Sequence, residues 1–332
     1  MTNEPTGAEV VIPLRTADVS RETEFSAVET PIAAAAASAA RLLGRRTEPW
    51  PRPATPRVLT VANQKGGVGK TTSTVNIAAA LALHGLHVLV IDLDPQGNAS
   101  TALAVPHQAG TPSVYEVLVD GLPLADVVQP VAELPGLIAV PATIDLAGAE
   151  IELVSLVARE TRLQRALTRY LDEVATQGER IDYVLIDCPP SLGLLTVNAF
   201  VAAQEVLIPI QCEYYALEGL GQLIRNVELV QAHLNPALHV STIVLTMHDA
   251  RTRLASQVAD EVREHFGQVV LATAIPRSVR VSEAPSYSKT VLTYDPGSSG
   301  AMSYVEAARE LAHRTGGETT TSDHSVQEKG SS

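Results

Sequence analysis

From residue 58 onward the apolar positions of the chain fall into short runs and longer stripes that alternate. Val58–Ala62, Val88–Asp92, Leu137–Pro141, Tyr183–Asp187, Glu205–Pro209 and Val240–Thr246 are short and rich in Val, Ile and Leu. Runs of that length and composition predict strands buried on both faces. Between them, Thr71–His84, Ile151–Val174, Leu195–Ala203, Leu217–Leu234 and Leu254–Phe266 carry apolar residues at three- and four-residue spacing, as does Gly300–His313. That spacing predicts helices with one buried face. Val75, Ala79 and Ala82 form the inner side of the first, and Ile151–Val174 reads as one long helix with arginines outside. Strands alternating with helices predict an α/β fold: a doubly wound, mostly parallel sheet flanked by helices, in one domain over residues 57–314.

The flanks lack either period. Residues 1–56 hold seven prolines and an alanine run, and predict a disordered arm with one short helix around Ala33–Leu43. Through Arg57 the arm has seven basic and seven acidic residues, so it is not a polybasic tail. Residues 315–332 are mostly Gly, Ser, Thr and Glu, and also predict disorder.

Composition narrows the class. Of 332 residues 45% are hydrophobic but only 4% aromatic, which suits helices on a buried sheet better than a β-sandwich. Cys188 and Cys212 sit in apolar surroundings and are too few for a disulfide framework; they read as small core residues of a reducing compartment. No run of ~18 apolar residues predicts a spanning helix, and the polar N-terminus is unlike a signal peptide. The net charge of −13 argues against a broad nucleic-acid-binding face, because phosphate neutralisation needs Lys and Arg. Distribution changes that picture. Val58 to His248 holds 8 Lys/Arg against 19 Asp/Glu, but Asp249 to Arg314 holds 8 against 8. A small arginine patch in the last third remains compatible with DNA.

The strongest chemical signal is Lys65-Gly66-Gly67-Val68-Gly69-Lys70-Thr71-Thr72, which follows a strand and opens a helix. Glycines let successive N–H groups turn toward phosphate oxygens, and the helix N-terminus adds partial positive charge. Lys70 is expected on the β- and γ-phosphates of ATP, Thr71 at Mg2+, and Thr72 at the α-phosphate. An ordinary P-loop has glycine where Gln64 stands, and here a second lysine, Lys65, follows it. A second signal is Asp92-Leu93-Asp94-Pro95-Gln96-Gly97, where a buried strand ends in two carboxylates. A carboxylate here can orient an attacking water or touch Mg2+ indirectly, and Asp92 is expected to hold the loop and the metal shell. A third is Tyr183–Asp187 followed by Cys188-Pro189-Pro190-Ser191, an apolar strand ending in an aspartate that suits the Mg2+ shell.

The two-lysine loop is similar to the deviant Walker A loop of the ParA/MinD group of dimerising P-loop ATPases. Leu245–Arg251 and Ile275–Pro285 resemble its chromosomal ParA/Soj branch. The resemblance runs from about Arg57 to Arg314. It implies that Lys65 reaches the partner's nucleotide across an ATP-dependent homodimer and that Asp94 supports hydrolysis. It further implies that Pro189-Pro190-Ser191 is a switch that registers the γ-phosphate, that Pro276 and Arg277 lie by the adenine, and that Arg251 and Arg280 contact double-stranded DNA without sequence preference. A ParB centromere-binding protein would stimulate hydrolysis and release the dimer, in a cytoplasmic, nucleoid-associated cycle that moves the origin region. The arm is a candidate contact for a polar or cell-division adaptor, and is too short and proline-rich for an operator-reading helix-turn-helix. The alternative is a MinD-like membrane-cycling ATPase of division-site placement. That relative uses a C-terminal amphipathic helix as anchor, whereas the tail here has no apolar face, so no stable membrane anchor is expected. An iron-protein relative would need cysteines for a shared iron–sulfur cluster, and Cys188 and Cys212 are not placed for one.

Overall fold

A computed structural model describes residues 49–213 and 216–314. A seven-stranded sheet comprises β1 (Arg57–Val61), β2 (Val88–Asp92), β3 (Gln129–Pro130), β4 (Leu137–Val140), β5 (Tyr183–Asp187), β6 (Glu205–Gln211) and β7 (His239–Thr246), in the order β3-β4-β2-β5-β1-β6-β7. Every pairing is parallel except β3 with β4. Alternate side chains serve opposite faces. Leu89, Ile91, Val184 and Ile186 enter one core, with Phe200 of α6 (Leu194–Ala202) and Leu220 of α7 (Ala216–His233). Val88, Val90, Tyr183 and Leu185 enter the other, with Ile77 of α1 (Lys70–Leu83) and Tyr304 of α11 (Ser299–His313). Five-residue strands that read as unbroken apolar runs are therefore buried on both sides, as the sequence predicts.

Register positions the chemistry. Val61 pairs with Asp187 and Asp187 with Asp92, so both carboxylates meet at the C-terminal edge of the sheet, just where β1 runs into the Gly66–Gly69 loop. In open α/β sheets that edge, where neighbouring connections part, is the place for a ligand.

Two expectations change. Ile151–Val174 is not one helix but α4 (Leu146–Leu153) and α5 (Arg162–Thr176). Between them Ala158 takes a left-handed φ of 54°. Ile151, Val154 and Val157 continue a helical stripe in sequence yet all three are exposed. Asn198 of α6 fixes the break: its amide nitrogen donates to Arg159 O at 2.8 Å and its oxygen accepts from Leu163 N at 3.2 Å, capping α5 from another element. The short helices α2 (Asn98–Ala102), α3 (Val114–Val119), α9 (Val279–Glu283) and α10 (Val291–Tyr294) and strand β3 carry too few residues to show a period; α8 (Arg253–Phe266) follows the prediction closely.

Residues 49–56, expected to belong to the arm, pack on the body instead. Trp50 is only 9% exposed and stacks on His84 at 3.8 Å between ring centroids, and its backbone N–H donates to His84 O. Arg52 donates to Gly85 O, and Arg180 donates to Pro53 O. Residues 49–56 thus belong to the folded body. The helix expected at Ala33–Leu43 and the tail 315–332 lie outside the described residues.

Candidate functional site

The loop after β1 needs glycine at two positions: Gly67 and Gly69 have φ of 73° and 88°. Gly69 is the N-cap of α1 and offers no side-chain cap, so the first amides of a 14-residue helix remain available to an anion. A Cβ added at Gly66 or Gly67 would meet no protein atom within 4 Å; the space in front of the loop belongs to a cavity of about 340 Å3. Gly66, Gly67, Gly69, Lys70, Thr71 and Thr72 line it, together with Asp94, Pro190, Met247 and Pro285.

Lys70 is buried at the cavity, its ammonium 3.3 Å from Lys65 O. Burial lowers its pKa, and the nearby carboxylates of Asp187 and Asp94 oppose that. Asp187 is fully buried. Its Oδ1 accepts from Thr74 Oγ1 at 3.0 Å, and its Oδ2 has no hydrogen-bond partner among the described residues. Burial, then the charge of Asp92, pushes its pKa up. A buried carboxylate oxygen without a donor, beside a threonine hydroxyl, fits the shell of a hard cation such as Mg2+. Asp92 is differently engaged. Oδ1 accepts from Asp94 N at 3.1 Å, and Oδ2 from Ser100 N at 2.9 Å and Ser100 Oγ at 2.7 Å. It braces the loop that presents Asp94. Burial raises the Asp92 pKa, and the Ser100 bonds oppose the rise. Asp94 faces the cavity while its Oδ1 accepts from Gln96 N at 3.0 Å.

The remaining sequence-selected residues stand apart. Lys65 does not line this cavity; its ammonium pairs with Glu213 at 2.6 Å, both side chains a little under half exposed. Pro276 and Arg277 do not line it either. His248 N donates to Ile275 O and Arg277 N to His248 O, so the pair is bridged to the segment carrying Met247, whose φ is 50°. Arg251 is 89% exposed and chelates Asp249, at 2.9 and 3.0 Å; the guanidinium pulls the Asp249 carboxyl down to about 2. Arg280 is 56% exposed and lies 3.2 Å from Glu283 and 3.4 Å from Asp295. Exposed pairs of this kind are held weakly and exchange readily for another anion.

Sequence reasoning passed over Thr74, Ser100, Glu213, Met247 and Pro285. Thr74 sits one helical turn after Lys70, a spacing that could have marked it. Met247 and Pro285 lie in the two late segments that carry the resemblance, without a role assigned there, and no local pattern marks Ser100 or Glu213.

Comparison with known proteins agrees with this geometry. Residues 56–240 match a family model described as an AAA domain. The chain is 51% identical over 256 residues to the sporulation initiation inhibitor protein Soj of Bacillus subtilis, covering 77% of this chain and 98% of that protein. It is 50% identical over 258 residues to the chromosome partitioning protein ParA of Caulobacter vibrioides, covering 78% and 94%. Among solved structures, a cobyrinic acid a,c-diamide synthase from Mycobacterium smegmatis with bound ATP analog and magnesium superposes with a TM-score of 0.65 at 39% identity, over 77% of this chain and 94% of that one. The septum site-determining protein MinD of Pyrococcus horikoshii, complexed with Mg-ADP, shares the fold at a TM-score of 0.60 and 22% identity, over 77% and 96%.

Proposed function

Since the chain belongs to the ParA/Soj family of chromosome-partitioning ATPases, we propose that it is an ATP-gated dimer that holds DNA without sequence preference and lets go when ATP is hydrolysed. The observation that carries this reading is the separation of its two loop lysines. Lys70 is buried at the cavity, whereas Lys65 lies off it in a half-exposed pair with Glu213. Such a pair is worth about 0.2–1 kcal/mol, so Lys65 leaves Glu213 at small cost and crosses to the partner's γ-phosphate.

ATP is bound by the loop amides, the α1 N-terminus and Lys70. The Lys70 ammonium loses solvation by burial and regains a partner in the phosphates. Thr71 and Asp187 would hold Mg2+, with Asp92 bracing the loop behind them. When bound, the ion neutralises charge on the β- and γ-phosphates. Asp94 orients the attacking water, Pro190 and Ser191 register the γ-phosphate, and Pro276 and Arg277 hold the segment beside the adenine. Dimerisation then aligns two copies of Arg251 and Arg280 on DNA, each exchanging its carboxylate partners for phosphates. A ParB protein triggers hydrolysis, and an adaptor for the arm is an additional partner. No helix among the described residues is long and apolar enough to cross a membrane.

The test is a salt titration of binding to two unrelated duplexes, with a slowly hydrolysed ATP analogue and then with ATP and ParB. Both duplexes should bind equally and only with nucleotide, and ParB should release them. Arg251→Glu and Arg280→Glu should each weaken binding and flatten the salt slope while the dimer persists. Wild-type affinity and slope in both variants would refute the arginine assignment.

A further inference from the structure

A second groove lies away from the nucleotide cavity. It has a volume of about 250 Å3 and runs between α5 and the turn after α3. Leu122, Leu124 and Tyr170 line it, as do Arg162, Arg165 and Arg169. Arg162 is committed: it donates to Leu118 O and Val119 O, the carbonyls at the end of α3. Arg169 pairs with Glu173 at 2.7 Å. Arg165 is exposed and has no carboxylate within pairing distance among the described residues. Of the 8 Lys/Arg between Val58 and His248, this one groove takes three against a single lining acid, Glu173, in a stretch where acids outnumber bases more than twofold. A cationic rim over a partly apolar floor fits an acidic peptide that carries an apolar anchor.

We propose that the occupant is the chain's own segment Asp18–Glu29. Of the residues ahead of Pro49, this stretch holds four of the seven acids, Asp18, Glu22, Glu24 and Glu29, against one base, Arg21, and it holds the single aromatic, Phe25. Its charge complements the groove, and Phe25 supplies the anchor for Leu122 and Tyr170. Reach is sufficient. The chain enters the described body at Trp50, which stacks on His84 at the end of α1, and three residues on, Pro53 O accepts from Arg180, just past the end of α5. α5 is only about 22 Å long, and the nineteen residues between Glu29 and Pro49 extend to about 60 Å. Tethering sets an effective concentration of about millimolar, so even a weak intrinsic contact fills the groove.

The test places p-benzoylphenylalanine at Phe25 in the full chain and maps the photo-crosslink. The expected product runs as a single chain and joins position 25 to residues 117–124 or 162–173. Arg165→Glu should lower its yield about threefold or more, and adding Glu22→Arg and Glu24→Arg to that variant should restore it. Arg165 is exposed, and unchanged ATP-analogue binding certifies each variant's fold. Crosslinks outside the groove, a product running as two chains, or a yield indifferent to Arg165→Glu would overturn the proposal.

Discussion

Glu213→Gln separates the resting role of Lys65 from its proposed role in the dimer. In the single chain the Lys65 ammonium lies 2.6 Å from Glu213, with 43% and 46% of the two side chains exposed. A pair so open to water is worth about 0.2–1 kcal/mol. If Lys65 must leave Glu213 to reach the partner's nucleotide, each copy gives up that amount, and the dimer gives it up twice. Removing the charge of Glu213 should therefore favour ATP-dependent dimerisation by about 0.4–2 kcal/mol, roughly 2- to 30-fold in Kd at 25 °C. The assay is sedimentation velocity across a protein dilution series with a slowly hydrolysed ATP analogue, at low salt and again at about 0.5 M, where screening should shrink the difference. In a Lys65→Ala background the same change should have no effect, because there is no pair to break. An unchanged or weakened dimer in the single variant, or an equal gain without Lys65, would refute the trans assignment.

Asp94→Ala should slow ATP turnover by about 100-fold or more, with the ATP-bound dimer retained on DNA; wild-type turnover under ParB stimulation would remove Asp94 from the mechanism. Deleting residues 1–48 should leave stability near wild type. Deleting 1–56 should cost roughly 3–5 kcal/mol in urea unfolding, because Trp50 is lost from His84; equal stability of the two truncations would contradict the packing. Burial raises the Asp187 pKa, so the folded ligand-free protein holds a proton that the unfolded chain releases, and this group's contribution falls as pH rises from about 4 through the folded value. Asp187→Asn should then flatten the fall in ligand-free stability above pH 5 while removing the stabilisation given by Mg2+ with ATP. A parallel pH profile in wild type and variant would argue against it.

Where the sequence misled, the cause was tertiary. The stripe Ile151, Val154, Val157 has helical spacing, but nothing in it announces that Asn198, far along the chain, would cap α5 at Leu163 and turn the chain there. The prolines around Trp50 speak for an irregular arm, and they are correct about the backbone; only the stacking on His84 makes that irregular stretch part of the body. The resemblance marks Arg251 and Arg280 as DNA contacts, and Asp249 stands two residues from Arg251, whereas Asp295, fifteen residues beyond Arg280, becomes its partner only once the chain is folded.

By itself the sequence determined the elements and the phosphate loop. Buried parallel strands are unbroken apolar runs, and glycines at Gly67 and Gly69 are dictated by local backbone angles, so both signals are contained in a few neighbouring residues. It also brought Asp92, Asp94 and Asp187 to strand ends. Tertiary structure alone divided their work. Pairing β2 with β5 set Asp92 beside Asp187, Ser100 then brought both its donors to one oxygen of Asp92, and Asp187 was left with an oxygen that none of the described residues satisfies. The same is true of Lys65 and Glu213, 148 residues apart. Which carboxylate braces and which waits for a cation depends on donors supplied across the fold, and no spacing along one chain encodes that.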